Sequence, residues 1–110
     1  MYQAFDDGLL LAIIEKGLDS LGETPKQALW FYLERDFAFS KKNIADNIDA
    51  FQEALQKFFG LGYSFLDTLF RRYLQEATGE SLEGYSSFAD CVNDLRLRKP
   101  LSQESRDYLR

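Results

Sequence analysis

The sequence contains no histidine and a single cysteine, and these two shortages exclude much of the chemistry that small proteins use. Without histidine there is no Ser-His or Cys-His nucleophile pair, no HExxH zinc site and no histidine-based pH switch. With Cys91 alone, an intramolecular disulfide and a cysteine-pair metal site are excluded as well. We expect Cys91, which lies on a helical pattern, to be a small buried apolar residue rather than a reactive thiol.

Long apolar runs and an excess of positive charge are also missing. The longest apolar run, Leu9 to Ile14, has six residues, whereas a membrane-spanning helix needs about 20. Asp6 and Asp7 stand where a signal peptide carries basic residues, so we expect a cytoplasmic protein with no membrane partner. The 13 basic and 18 acidic residues give a formal net charge of −5. This balance disfavours nucleic acid as a partner, because binding to phosphate depends on positive side chains.

Apolar and aromatic residues are abundant. Of the 110 residues, 45% are hydrophobic and 15% are aromatic, including ten Phe and six Tyr. A chain of this length buries about two thirds of its unfolded surface, so it is long enough to form a globular fold without disulfides or metals. The aromatic residues either fill this core or leave some side chains over for a partner.

The spacing of the apolar residues predicts an all-α fold, a compact bundle of four main helices plus a short C-terminal helix. The predicted helices cover about residues 2–21, 25–37, 47–59, 63–78 and 87–98, with a single turn at 40–45. Residues 102–110 fit either a final turn or a disordered end. Because the composition changes after Gly79, we divide the chain into a core domain of residues 1–79 and a C-terminal extension of residues 80–110.

Glycines and a capping pattern define the first helical hairpin. Gly8 and Gly17 weaken the first helix, and Gly8 indicates either the true start of the helix or a close helix contact. Gly22 ends the helix because glycine readily adopts a positive φ. Thr24 is predicted to cap the second helix, with Pro25 in the first helical position and Gln27 completing a capping box.

This hairpin also carries a resemblance to a known family. The residues concerned are Gly17-Leu18-Asp19-Ser20-Leu21-Gly22, Thr24-Pro25-Lys26-Gln27-Ala28 and Tyr32-Leu33-Glu34, then Ile44, Asn47, Phe51, Ala54-Leu55 and Phe59-Gly60. Over about residues 5–78 the chain resembles a family of small archaeal helical domains, output modules of signal-transduction and regulatory proteins without a defined activity. The resemblance implies a helical interaction domain and no catalytic residue.

No residue pattern predicts catalysis, a cofactor or a metal site. Asp46, Asp49 and Glu53 share one helix face, but acidic residues near a helix start ordinarily complement the helix dipole. Asp67 and Arg71 are spaced four residues apart, and we interpret them as an ion pair on a solvated face.

We therefore expect a non-enzymatic interaction or regulatory module that binds a protein partner or a second copy of itself as a homodimer. The candidate contact residues are aromatic side chains that would form an exposed apolar patch: Trp30, Phe31, Phe39, Phe58 and Tyr63.

Two alternatives belong to other functional classes. The first is a small-ligand-binding or enzymatic pocket between helices, with Tyr32 or Tyr73 and Arg35 or Arg72 as polar anchors. The second, which is weaker, is a DNA-associated regulator that uses the third and fourth helices as a helix-turn-helix. The first turn of the predicted recognition helix contains Tyr63, Ser64 and Phe65. None of these side chains forms the paired hydrogen bonds by which Arg, Lys, Asn or Gln recognise a base.

Overall fold

The computed structural model describes residues 4–97, and six helices account for most of this part of the chain. They are α1 (Asp7–Asp19), α2 (Glu23–Phe37), the one-turn α3 (Lys41–Ile44), α4 (Ile48–Phe59), α5 (Tyr63–Thr78) and α6, at 88–97. Short 3-10 turns at Ala45–Asn47 and Gly60–Gly62 lead into α4 and α5. Residues 4–97 contain no strand. The prediction of an all-α bundle with four main helices and a short C-terminal helix is confirmed; the alternatives for residues 102–110 lie outside the described residues.

The first helix begins later than its apolar pattern indicates, because a cap residue starts it. The carboxylate of Asp6 accepts a hydrogen bond from the backbone N–H of Leu9 at 2.8 Å. Gly8, which would weaken the middle of a helix, therefore lies in the first turn, where its cost is small.

The second helix begins at Glu23, so the prediction that Thr24 caps it is wrong. Gly22 occupies the cap position with a φ of 93°, and Thr24 and Pro25 lie inside the first turn. Pro25 is tolerated there because the first four N–H groups of a helix have no partner within the helix. The amide of Gln27 donates to the carboxylate of Glu23 at 2.9 Å instead of closing a capping box.

Among the helices α1 to α5, the most extensive contact joins α1 to α5, and a glycine makes it possible. Gly17 is buried, and a Cβ atom placed on it would lie 2.3 Å from Cε1 and 2.6 Å from Cδ1 of Phe70. The ring of Phe70 is fully buried and therefore has no open space to move into. The close approach of α1 and α5 thus depends on Gly17, because an aromatic ring rests on its backbone, whereas Gly8 makes no such helix contact.

The extension belongs to the same hydrophobic core as the first five helices. Within residues 80–97 the buried apolar residues are Leu82, Phe88, Ala89, Cys91, Val92 and Leu95. The ring centroids of Phe88 and Phe70 are 5.0 Å apart, so α6 packs directly on α5. The expectation that Cys91 is a buried apolar residue is confirmed. The division at residue 79 stays a prediction, and residues 1–79 alone would expose the faces that α6 covers.

We predict that Gly17→Ala destabilises the protein by about 1–3 kcal/mol, because the new methyl group would force α1 and α5 apart. The loss should exceed the gain of about 1 kcal/mol that alanine brings to a helix interior. Urea unfolding measures the difference. Gly8→Ala is the control, since its Cβ would meet only a side-chain oxygen of Asp6, at 3.4 Å. Equal stability of the two variants would contradict the assigned role of Gly17.

Candidate interaction surface

Three large apolar side chains are exposed where α4 meets α5. We call residues 58–65 the α4–α5 corner. In this corner Phe58 is 37% exposed, Leu61 97% and Phe65 60%. The chain reverses here through Gly60, whose φ of 59° lies in the region that favours glycine. No acidic or basic residue occurs between Lys57 and Asp67, so the corner is an uncharged surface on an acidic protein.

Leu61 and Phe65 share one outward face. The backbone at Gly62 and Tyr63, which lie between them, is right-handed helical, so residues 61 and 65 are neighbours one turn apart. The hydroxyl of Ser64 donates to the Leu61 carbonyl at 3.2 Å, and that of Thr68 donates to the Ser64 carbonyl at 3.0 Å. Both hydroxyl protons are therefore directed to the helix backbone, and the surface around the two apolar side chains stays neutral.

Phe58 is fixed in place by other aromatic rings. Its ring centroid lies 5.0 Å from that of Tyr32 and 4.8 Å from that of Phe59. Tyr32 in turn contacts Phe37 edge-on at 5.4 Å. Aromatic pairs at these separations contribute about 0.5–1.5 kcal/mol each beyond their buried area. The corner is thus joined to α2 through ring contacts.

Beneath the corner, the buried hydroxyl of Tyr63 lies between two polar side chains. It donates to Oε1 of Gln52 at 3.2 Å or to Oδ1 of Asp67 at 3.4 Å. Burial, reinforced by the Asp67 carboxylate, raises the pKa of Tyr63 above its ordinary value. The phenol is therefore a neutral donor, and it ties the start of α5 to α4.

The side chains of Gln52 and Asp67, which lie on other helices, also cap the start of α6. Oδ1 of Asp67 accepts from the backbone N–H of Phe88 at 2.7 Å, and Oε1 of Gln52 accepts from the N–H of Ala89 at 2.9 Å. The next N–H, that of Asp90, donates to the hydroxyl of Ser87 at 3.2 Å. The first three backbone donors of α6 are thus all satisfied, two of them by side chains of α4 and α5.

The position of Asp67 corrects its interpretation as part of a solvated face. Asp67 is only 7% exposed, and its Oδ2 lies 2.9 Å from Nε of Arg71. Arg71 also donates to the backbone carbonyl of Tyr85 at 3.1 Å. Spacing alone could not show this, because the burial comes from the loop before α6, which covers that side of α5.

The five predicted contact residues differ in how much of each side chain is exposed. Phe31 is exposed at 62% and Phe58 at 37%, whereas Trp30 is half-buried against the core. Phe39 and Tyr63 are only 6% and 5% exposed, so these two aromatic residues support the core and not a surface patch.

Leu61 and Phe65 were missed by the sequence reasoning. Two sequence signals point to them. Phe65 lies off the buried stripe formed by Tyr63, Leu66 and Phe70, and the nine residues from 58 to 66 are free of acidic and basic side chains.

The two grooves described for residues 4–97 do not bring the proposed ligand-pocket residues together, since Arg72 alone of them lines either groove. Tyr32 packs between aromatic rings, Lys16 lies over the ring of Tyr73 at 4.3 Å, and Arg35 pairs with Asp36. Arg72 lines an open groove of about 500 Å³ on the outer side of α5. The residues lining this groove are Thr68, Arg71, Arg72, Gln75, Glu76, Leu82 and Glu83.

The described acidic residues are dispersed. Within residues 4–97 no group of three or more potential ligands is placed to hold a metal ion. Asp49, one of the three acids on the face of α4, accepts from the amide of Asn93 at 3.1 Å. No helix in this part of the chain is long and apolar enough to cross a membrane.

Comparisons with protein families, with curated proteins and with solved structures found no match to this chain. The resemblance to archaeal output domains therefore stays a prediction.

We predict that Asp67→Ala destabilises the protein by about 2–4 kcal/mol, because it leaves the Phe88 N–H and the Arg71 guanidinium without their buried acceptor. Asp67→Asn should cost less, since its side-chain oxygen can still accept from Phe88. Urea unfolding and the rate of Cys91 labelling by a thiol reagent report the effect, and Cys91 is the sole cysteine. Asp46→Ala, which removes an exposed carboxylate, is the control. An Asp67→Ala variant as stable as this control would refute the capping role.

We predict that stability falls in alkaline solution because of Cys91. Burial raises the pKa of this thiol from 9.0 to about 11. Below about pH 9 the thiol is protonated in both the folded and the unfolded chain, so its contribution to the free energy of unfolding is complete. Above that pH the unfolded chain loses the proton first, and this contribution is lost. The free energy of unfolding should fall by roughly 2 kcal/mol more for the wild type than for Cys91→Ala between about pH 8 and pH 11. Parallel pH profiles for the two proteins, measured by urea unfolding, would contradict this.

Proposed function

We propose that this protein is a non-enzymatic helical interaction module, in the manner of a regulatory or signal-output domain, and that the α4–α5 corner is its contact surface. The observation that carries the proposal is the exposure of Leu61 and Phe65 side by side on a turn. Burying one large apolar side chain is worth about 1.5–3 kcal/mol. A partner that covers both residues therefore gains binding free energy from surface that the folded chain leaves in water.

The corner is also suited to binding because it is held in shape before any partner arrives. Tyr63 is hydrogen-bonded below it, and Phe58 packs against Tyr32 at its edge. A surface that is already ordered loses little conformational entropy on binding, which favours affinity.

The placement of the polar side chains supports a non-enzymatic role. Gln52, Tyr63, Asp67 and Arg71 form the polar cluster beneath the corner, and each contacts another group of the fold. The resemblance to signal-output domains agrees with the same role, as does the absence of histidine from the sequence. We propose that the module acts in the cytoplasm, because a chain with one cysteine has none of the intramolecular disulfides common in small secreted domains.

Binding of a small anionic ligand is the second candidate. The groove beside Arg72 favours it, because Arg72 and Thr68 face open space of about 500 Å³ there. Glu76 and Glu83 line the same groove and oppose an anion. A DNA-associated role has less support, since Arg71 is engaged by Asp67 and by the Tyr85 carbonyl.

The test is capture of binding proteins from a native lysate by the immobilised, tagged chain. Three baits are compared: the wild type, a double variant Leu61→Ser with Phe65→Ser, and Phe31→Ser as a matched control at an exposed aromatic residue on α2. We expect the corner variant to lose a protein that the wild type and the control retain, whether that protein is a different chain or an untagged copy of this one. All three baits must show similar thermal unfolding. Identical captured proteins on all three would contradict the proposal.

A further inference from the structure

We propose that the partner at the α4–α5 corner is a second copy of this chain, joined by a twofold-symmetric contact. This inference rests on the proposed function and adds the identity of the partner. In a twofold contact the same patch meets itself, so every charge near the axis faces its own copy. The surface that self-associates most easily is therefore apolar and uncharged.

The corner meets this requirement despite the net charge of −5. Between Lys57 and Arg71 the only acidic or basic residue is Asp67, and Asp67 is buried beside Arg71. Two corners can therefore approach without placing like charges opposite each other, a contact that costs several kcal/mol where it occurs.

The other strongly exposed apolar residues lie in charged surroundings. The guanidinium of Arg35 lies 5.2 Å from the ring centroid of Phe31 and is paired with Asp36, so a twofold contact there would have to desolvate an ion pair on each copy. Leu97 follows Arg96, which is paired with Asp7 at 2.8 Å. Of the described apolar surfaces, the corner thus carries the smallest electrostatic penalty for self-association.

A groove beside the corner offers a second copy a place to bind. Leu61 projects from the turn, and an open groove of about 360 Å³ lies beside it, between α5 and the loop before α6. The charged residues that line this groove, Asp67 and Arg71, are paired with each other at 2.9 Å, and its other lining residues are uncharged: Gln56, Gly60, Leu61, Tyr63, Ser64, Thr68, Ser86 and Ser87. In a twofold arrangement Leu61 of each copy enters the groove of the other, and the two Phe65 side chains cover the contact.

The expected association is weak. A standard stable interface buries about 800 Å² on each partner, and this corner offers two strongly exposed apolar side chains per copy. Ordering of side chains and loss of translational freedom offset much of the gain. We therefore expect a dissociation constant in the range of roughly 10 µM to 1 mM.

Sedimentation velocity of the full chain tests the proposal, at concentrations up to about 1 mM so that a weak dimer is populated. We expect the wild type and Phe31→Glu to shift from monomer to dimer with concentration, and Leu61→Glu and Phe65→Glu to remain monomeric because each places two carboxylates near the axis. Both corner residues are exposed, so circular dichroism should show these variants folded.

A wild type that stays monomeric at the highest concentration overturns the proposal, as does a dimer that survives Leu61→Glu. The lysate capture separates this failure from failure of the proposed function. If the wild type is monomeric but the double corner variant still loses a different protein, the interaction module stands and only self-association is refuted. If no corner-dependent protein is captured either, both are refuted.

Discussion

The carboxylate of Asp67 is the interaction on which the arrangement of the C-terminal part depends. It accepts from the first N–H group of α6, contacts Arg71 and lies beside the Tyr63 hydroxyl. A buried charge is costly to desolvate, and it is tolerated here because hydrogen bonds and an opposite charge surround it. Because hydrogen bonds are directional, this requirement for several partners fixes the position of α6 against α4 and α5. Apolar contacts are not directional and would not fix that position by themselves.

Close packing adds a second constraint, at the contact between α1 and α5. The absence of a side chain at Gly17 lets Phe70 rest on the backbone of α1, and the ring of Phe88 then packs on Phe70. The core is therefore continuous from α1 to α6. Because this packing buries Tyr63, Leu66 and Phe70 on one side of α5, Phe65 must point away from the core. The exposed corner is thus a consequence of how α5 is oriented.

Sequence periodicity predicted the number and type of the helices well, because each amphipathic pattern reports a local property of the backbone. The end of α5 at Gly79, which has a positive φ, was also located correctly. The first helix ends two residues earlier than expected, with Ser20 as its cap, and Gly22 adopts its positive φ as the cap of α2. The cap of α2 was wrong by two residues, since both Gly22 and Thr24 are competent caps and the entry of the chain into the helix selects between them. The candidate surface was predicted in part: Phe31 and Phe58 are exposed, whereas Phe39 and Tyr63 are buried.

The sequence by itself determined the helical class, the positions of the main turns and the absence of histidine chemistry, because these follow from residue type and from spacing along a single segment. Only the tertiary structure decided that Asp67 is a buried cap, that Gly17 faces an aromatic ring and that Leu61 and Phe65 lie together in water. Each of these depends on which faces of different helices meet. A pattern within one helix shows that an apolar face exists, but the distance to a residue 21 positions away, as between Asp67 and Phe88, is set by the packing of the whole chain.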